Sequence, residues 1–207
     1  MISLHNEDCL NAMKQMQTDQ FSLAIVDPPY GLAEAGAHTH ISGTRKLYKD
    51  KMKNWDTKPH QEYFDELRRV SQNQIIFGMN YFADMLPPSR CFVVWDTTQR
   101  GLSFSQAELA WCSFNQMCKV VRISNNQPNR IHRCQKPVQL YEWLLHTYAK
   151  KNDTILDTHI GSGSIAIACH NLGFQLTGYE INAEYHKNAC ERLSAHQSQL
   201  KLHECLK

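Results

Sequence analysis

The sequence predicts an α/β domain built around a mostly parallel sheet, and three observations support that fold class. Short apolar segments alternate with amphipathic segments along most of the chain, which is typical of strands that alternate with helices. Two of the apolar segments end at an acid followed by a turn, at Asp27 and Asp157. The 207 residues are enough for one domain with a buried core. We therefore expect a single domain over residues 1–207.

The individual elements follow from the apolar patterning. The predicted strands cover residues 2–5, 21–26 ending at Asp27, 74–77, 91–95 ending at Asp96, 118–123, 154–156 ending at Asp157, and 175–179 ending at Glu180. The predicted helices cover roughly residues 8–17, 60–71, 140–149, a segment that starts near Ser164, and 183–193. The strand at 118–123 is expected near an edge of the sheet. Residues 31–60 show little periodicity, and a loop of that length in a compact domain tends to be functional or mobile.

Composition excludes several classes of protein. No apolar run is long enough to span a membrane, and the N-terminus lacks the basic-then-apolar pattern of a secretion signal. The eight cysteines include no C-x-x-C pair, which indicates reduced thiols in the cytoplasm rather than a disulfide framework or a zinc site. No metal is expected, because the close histidine pair His38 and His40 is better explained as part of a solvated loop.

The net charge is only +2, but the basic residues are unevenly distributed. Residues 119–136 hold five Lys or Arg and no acid, and residues 31–60 hold six against three acids. Two basic segments on a near-neutral body suit a phosphate backbone, although solvated loops would have the same composition. The amides of residues 125–129 could read adenine edges, or could form a plain polar turn. The candidate DNA-binding residues are Arg45, Lys46, Arg122, Arg130 and Arg133.

The first chemical motif is the tetrapeptide from Asp27 to Tyr30, which follows a buried strand. Neither Pro28 nor Pro29 has a backbone N–H, and Pro29 restricts Pro28 to an extended conformation, so the turn is stiff and its carbonyls are free to accept hydrogen bonds. Asp27 and the Pro28 carbonyl could accept both N–H bonds of a planar amine, with Tyr30 stacked on the attached ring. A simple turn with an aromatic residue at its end is the alternative.

The second motif runs from Asp157 to Ala166. Gly161, Gly163 and Ala166 match the G-x-G-x-x-G/A nucleotide turn, and Glu180, at the end of the next strand, would bind the ribose hydroxyls of an adenosine. This pattern alone also fits a nicotinamide dehydrogenase. A carboxylate at Asp157 complements a sulfonium and an ammonium group but repels a pyrophosphate, which favours a methyl donor.

The two motifs, in this order, resemble the amino-group DNA methyltransferases of the permuted (beta-type) class, in which the catalytic D-P-P-Y precedes the S-adenosylmethionine loop. Further segments along most of the chain are similar to that family: residues 6–10 to G-D-C-L, 130–137 to R-x-H-P-T-Q-K-P, 157–164 to D-P-F-x-G-S-G-T, 178–181 to G-x-E-I, and 184–185 with 189–193 to the closing E-Y…A…R-L pattern. Thr158 and His159 replace Pro-Phe, and Arg133 and Cys134 replace Pro-Thr. Neither change touches the atoms that the reaction needs.

The resemblance implies a Rossmann-like, doubly wound, mostly parallel sheet of the S-adenosylmethionine-dependent methyltransferase type with permuted motif order. It implies a basic loop insertion at about 31–60 and a short target-recognition segment at about 122–133. The implied catalytic residues are Asp27, Pro28, Pro29 and Tyr30. The implied cofactor-binding residues are Asp8, Cys9, Gln135, Lys136, Pro137, Asp157, His159, Ile160, Gly161, Ser162, Gly163, Ser164, Glu180, Ile181 and Asn182.

The activity implied is site-specific transfer of a methyl group from S-adenosylmethionine to N6 of a flipped adenine in double-stranded DNA, in the context of restriction–modification. With no room for a separate recognition domain, the protein would dimerise or recognise a short site. Cytosine-N4 methylation uses the same geometry, but an acid at Asp27 resembles the adenine enzymes more, and a glutamine-modifying relative would carry Asn there. The absence of a catalytic cysteine motif argues against methylation of a cytosine ring carbon. An NAD-dependent oxidoreductase and a non-catalytic DNA-binding module are the alternatives from other classes.

Overall fold

The computed structural model describes residues 1–32, 56–100, 105–127, 130–132 and 134–205, with side chains up to residue 199. Its strands are β1 (Ile2–His5), β2 (Phe21–Val26), β3 (Ser71–Phe77), β4 (Phe92–Asp96), β5 (Ala107–Cys112), β6 (Lys119–Arg122), β7 (Thr154–Asp157) and β8 (Gln175–Tyr179). Its α-helices are α1 (Cys9–Met13), α2 (Gln61–Val70), α3 (Val138–Tyr148), α4 (Ser164–Leu172) and α5 (Ala183–Cys205), and a short 3₁₀ helix covers Met79–Tyr81. No helix among the described residues is long and apolar enough to cross a membrane.

The eight strands form one sheet in the order β1-β8-β7-β2-β3-β5-β4-β6. Only β5 runs antiparallel to its neighbours, β3 and β4, and all other pairs are parallel. Strands β2 and β7 are neighbours near the centre of the sheet. The strand that follows β2 in sequence, β3, lies on one side of this pair, and the strand that follows β7, β8, lies on the other. The sheet therefore has a switch point between β2 and β7, where the loops after the two strands open a crevice.

The core covers both faces of the sheet, as the period of two along each strand requires. On β2, Leu23 and Ile25 belong to a cluster that also includes Leu140 of α3, whereas Ala24 and Val26 belong to the opposite cluster, which contains α2 side chains. Helices on both faces of a mostly parallel sheet define a doubly wound α/β domain. The fold class predicted from the sequence is confirmed.

Most predicted elements are present, with four differences. The helix predicted over 8–17 ends at Met13, because the Arg69 guanidinium binds the carbonyls of Met13 (2.7 Å) and Met16 (2.8 Å) in the turn that follows. Strand β3 begins three residues earlier than predicted, and α5 continues past residue 193. The strand predicted over 118–123 lies at the sheet edge as expected.

The fourth difference is β5, which the sequence did not predict. Its residues Ala107-Glu108-Leu109-Ala110-Trp111-Cys112 are poor in β-branched side chains, so the local propensity for a strand is low. The strand forms because it is inserted between β3 and β4, where both edges are paired. Of the loop predicted at about 31–60, residues 33–55 lie outside the described residues.

Candidate active site

Three acids line the crevice at the switch point. Asp27 follows β2, Asp157 is the last residue of β7, and Glu180 follows β8, and these strands are neighbours in the sheet. Because the strands are parallel, their carboxyl ends lie at the same edge. The structure therefore brings the two predicted motifs together from residues far apart in the chain.

On one side of the crevice, Tyr30 is fixed by two contacts. Its hydroxyl donates a hydrogen bond to Asp27 Oδ1 at 2.6 Å, and its ring stacks on Tyr81 with a centroid separation of 4.7 Å and an interplanar angle of 17°. Gly78 makes this position available: its φ is 77°, and a Cβ there would lie 2.3 Å from Tyr30 Cε1. The sequence motif did not indicate Gly78 or Tyr81, because they follow a different strand, β3.

The second oxygen of Asp27 contacts the Lys136 ammonium. Lys136 is almost fully buried, and its Nζ also lies 3.1 Å from Glu108 Oε2 and 4.5 Å from the centroid of the Phe77 ring. Burial alone would lower the pKa of Lys136, but the negative charges of Asp27 and Glu108 outweigh it and hold that pKa well above its usual range. Lys136, predicted as a cofactor-binding residue, thus places its charge on the predicted catalytic acid.

On the other side of the crevice, the glycine turn is held by main-chain hydrogen bonds. The Gly161 N–H donates to Glu180 Oε2 at 3.0 Å, and the Asn182 N–H donates to Glu180 Oε1 at 2.9 Å. Gly161 and Gly163 have φ values of 50° and 73°, which favour glycine. Each Glu180 oxygen keeps acceptor capacity for a ligand hydroxyl. Burial raises the pKa of Glu180.

Asp157, the last residue of β7, is buried immediately before this turn. Its Oδ1 accepts a hydrogen bond from the His159 N–H at 2.9 Å, and burial raises the pKa of the Asp157 carboxyl to about 8. The His159 ring is hydrogen-bonded to Thr158 Oγ1 (2.9 Å), which in turn hydrogen-bonds the Tyr63 hydroxyl (2.6 Å). Burial lowers the pKa of His159 to about 4, so this ring is neutral and satisfied at neutral pH.

The serines of the turn are held by the closing helix. Arg192 of α5 donates to the Ser162 carbonyl at 2.8 Å and to Ser164 Oγ at 2.9 Å. Gly163 packs against the same helix, since a Cβ on it would lie 3.1 Å from the Ala189 Cβ. The predicted Ile160 is buried, and its N–H donates to the Tyr179 carbonyl at 2.9 Å.

The remaining predicted cofactor-binding residues lie after β1, after β8 or before α3. Asp8 caps α1 by accepting from the Asn11 N–H at 2.8 Å, and Cys9 is the first residue of that helix. Ile181 is 65% exposed, and the Asn182 side chain caps α5. Gln135 is buried and donates to Gln127 Oε1 at 3.0 Å, and Pro137 immediately precedes α3.

The predicted DNA-binding arginines are only partly within the described residues. Arg122 lies on the edge strand β6, and its Nε donates to Asp96 Oδ2 at 3.0 Å. The Arg130 guanidinium donates to the carbonyl oxygen and the side-chain oxygen of Asn125. Both arginines are exposed. Arg45, Lys46 and Arg133 lie outside the described residues, as do His38 and His40.

The arrangement fits S-adenosylmethionine. The Glu180 oxygens can accept two ribose hydroxyls, and Asp157 offers a carboxyl group to the cationic amino-acid part. Within the described part of the chain, no group of three or more His, Cys, Asp or Glu side chains is placed to hold a metal ion.

Known proteins resemble this chain over part or most of its length. Residues 89–191, just under half of the chain, match the family model for DNA methylases of the N6/N4 type. The Type II methyltransferase M.HpaI of Haemophilus parainfluenzae is 24% identical over 91% of this chain and 73% of its own length. The Type II methyltransferase M1.MboII of Moraxella bovis is 21% identical over 88% and 92% of the two chains.

Solved structures share the fold over nearly the whole chain. The M1.HpyAVI–SAM complex superposes with a TM-score of 0.59 at 18% identity, covering 93% of this chain and 99% of that one. PvuII DNA methyltransferase, which is cytosine-N4-specific, superposes with a TM-score of 0.64 at 12% identity, covering 96% and 92%. The fold is that of the S-adenosylmethionine-dependent methyltransferases. Residues 89–191 thus resemble the N6/N4 DNA methylases, and the site fits S-adenosylmethionine as a cofactor.

Proposed function

We propose that this protein is a site-specific DNA methyltransferase of the permuted class that methylates N6 of a flipped adenine. The observation that carries the proposal is Asp27, held by Tyr30 and Lys136 at the end of β2, next to the strand β7 that leads into the glycine turn. The order of the two motifs along the chain supports the permuted class, since Asp27 precedes Asp157 although their strands are adjacent.

S-adenosylmethionine, when bound, supplies the methyl group on a cationic sulfur. The Glu180 carboxylate would hold the ribose hydroxyls, and Gly161 would allow the ligand to approach the backbone. Asp157 would face the cationic amino-acid part. The segment around Asp8 and Cys9 would lie beside the adenine ring of S-adenosylmethionine, because Asn6 anchors this segment to the Glu180 carbonyl at 2.8 Å.

The target base would enter on the Asp27 side. An exocyclic amine inside a duplex is not accessible in line with the donor, so the base must be flipped out. Asp27 and the Pro28 carbonyl would accept the two amino hydrogens and direct the nitrogen lone pair at the methyl group. Tyr30 and the neighbouring Tyr81 provide the aromatic surface for the base. Positioning and a preorganised electrostatic environment would supply most of the rate enhancement.

DNA would be bound by the basic residues of the 31–60 loop and by the target-recognition segment at about 122–133. Among the described residues of that segment, Arg122 and Arg130 are exposed and remain able to reach a phosphate. A second protomer would extend this short recognition surface, which is why a homodimer on double-stranded DNA is part of the proposal.

Cytosine-N4 methylation is the second candidate. The specific observation in its favour is the fold shared with PvuII DNA methyltransferase over most of both chains. The reaction geometry would be the same, because the N4 of cytosine and the N6 of adenine are both exocyclic amines. The acid at position 27 favours adenine-N6 over cytosine-N4 methylation in this proposal.

The test is to incubate the protein with S-adenosylmethionine carrying a labelled methyl group and mixed-sequence DNA, then to identify the methylated nucleoside by mass spectrometry. We expect N6-methyladenine, and we expect Asp27→Ala to lower the rate by on the order of 10³-fold or more. N4-methylcytosine as the product would move the assignment to the second candidate. Full activity in Asp27→Ala would remove the mechanism altogether.

A further inference from the structure

The Lys136 ammonium joins two carboxylates that come from different parts of the sheet. Asp27 follows β2, whereas Glu108 lies on β5, the antiparallel strand beyond β3. Lys136 itself immediately precedes Pro137 and α3. We use the name ion cluster for Asp27, Lys136 and Glu108. The sequence motifs contain two members of the cluster but give no sign of Glu108.

Glu108 contributes charge to the cluster rather than a directed hydrogen bond. Its Oε2 lies 3.1 Å from Lys136 Nζ, but no described donor reaches that buried oxygen in hydrogen-bond geometry. A buried ion pair of this kind adds little to the stability of a fold, because desolvation of the two charges offsets their attraction. A stabilising role alone therefore does not explain a glutamate at this position.

The formal charge of the ion cluster is −1, because two carboxylates share one ammonium. Tyr30 adds no charge, since burial holds the pKa of its hydroxyl well above the usual range. Without Glu108, Asp27 and Lys136 would form a neutral pair, and Asp27 would be a weaker acceptor for an incoming amine. Glu108 thus offsets the charge of the lysine that fixes Asp27 in place.

The charge matters because the reaction moves a positive charge towards Asp27. The nitrogen–methyl bond forms as the sulfur–methyl bond breaks, the sulfur keeps the electron pair, and the positive charge passes to the amino nitrogen. That nitrogen then loses a proton to the Asp27 carboxylate. A net negative cluster stabilises both steps more than a neutral one does.

Resting on the proposed function, we propose that Lys136 and Glu108 are positioning residues for methyl transfer: Lys136 fixes the Asp27 carboxylate, and Glu108 keeps the cluster net negative. Glu108→Gln should lower kcat by on the order of 10-fold, with the KM values for DNA and for S-adenosylmethionine changed by about twofold or less. Glu62→Gln is the matched control and should equal the wild type, because Glu62 pairs with Lys14 in an exposed ion pair at 2.7 Å.

The decisive variant restores the charge. Lys136→Met leaves two carboxylates without a cation, so we expect kcat to fall by about 100-fold or more. The double variant Lys136→Met/Glu108→Gln returns the cluster to −1 and should recover about 10-fold of that loss. If the two substitutions merely damaged packing, their losses of kcat would add instead. Thermal melting and calorimetric donor binding, measured on every variant, separate a loss of folding from a loss of kcat.

The outcomes distinguish the two proposals. A wild-type protein that transfers no methyl group to DNA contradicts the proposed function, and the positioning roles are overturned with it. A wild-type protein that is active while Glu108→Gln keeps the wild-type kcat overturns only the positioning roles. A double variant no better than Lys136→Met overturns the charge argument, even if Glu108→Gln alone is slow.

Discussion

The two sides of the crevice are held together in different ways. The donor side, the glycine turn with Glu180, is fixed by backbone N–H groups, and its key contact joins residues 19 apart in sequence. The target side, the turn at Asp27, is fixed by the side chains of Tyr30 and Lys136, with Glu108 adding charge, and the contact between Asp27 and Lys136 joins residues 109 apart. One side is therefore a local backbone structure, and the other depends on distant charges.

The difference has a functional reason. A donor that is the same in every catalytic cycle is served by a turn that backbone N–H groups hold in a single geometry. The target side must admit and release a base, so side chains that can move are better suited to it. Substitutions should therefore separate into those that change donor binding and those that change the rate of transfer.

The largest effect expected on the donor side comes from Glu180→Gln. An amide offers one acceptor oxygen in place of two, so either the Gly161 N–H or the Asn182 N–H loses its partner and a ribose hydroxyl loses its acceptor. We expect the Kd for S-adenosylmethionine to rise by about 10–100-fold, with DNA binding unchanged. Isothermal titration calorimetry measures the former and fluorescence anisotropy the latter. An unchanged donor Kd would contradict the role given to Glu180.

The same comparison explains how much the sequence could predict. The donor side was predicted in detail, because Gly161, Gly163 and Glu180 lie in contiguous motifs whose spacing follows from a strand–turn–helix geometry. The Asp27 turn was predicted for the same reason. Glu108 and Tyr81 were not, since they meet Asp27 and Tyr30 only through the order of strands in the sheet. Strand β5 was missed because pairing with two neighbours, rather than local propensity, makes it a strand.

The second prediction concerns pH and the donor side. Burial raises the pKa of Asp157 to about 8, so without a donor this carboxyl is mostly protonated at pH 7. A cationic donor favours the ionised form, so binding releases a proton and affinity increases as the pH rises through about 8. For one linked proton, we expect the contribution of Asp157 to make the Kd about tenfold lower at pH 9 than at pH 7.

Asp157→Asn is the control for this pH dependence. The amino group of the donor titrates in the same range, and the Asn variant keeps that titration while removing the carboxyl. We would measure the Kd of the wild type and of Asp157→Asn by calorimetry across roughly pH 6–9. The difference between the two profiles gives the contribution of the Asp157 carboxyl. Parallel profiles would show that Asp157 does not change its protonation on binding.

The third prediction tests the target side without touching a charge. Gly78 and Gly173 have nearly equal positive φ values, 77° and 75°, so alanine should cost each about 1–2 kcal/mol of folding free energy through the backbone. Only at Gly78 does the new Cβ meet a side chain, because it would lie 2.3 Å from Tyr30 Cε1, whereas nothing lies within 4 Å at Gly173. Thermal melting should show a fall of a few degrees for both variants.

The two glycine variants should then differ in kcat but not in donor affinity. Gly78→Ala displaces the Tyr30 ring from Tyr81 and weakens its hydrogen bond to Asp27, so we expect kcat to fall by roughly 5–50-fold. Gly173→Ala should keep the wild-type kcat at a temperature where both variants are folded. Because Gly78 follows β3 and not the strands that carry the glycine turn, the Kd for S-adenosylmethionine should be the same in both. Equal kcat values would mean that the position of Tyr30 does not limit the reaction, and the target side would then rest on the ion cluster alone.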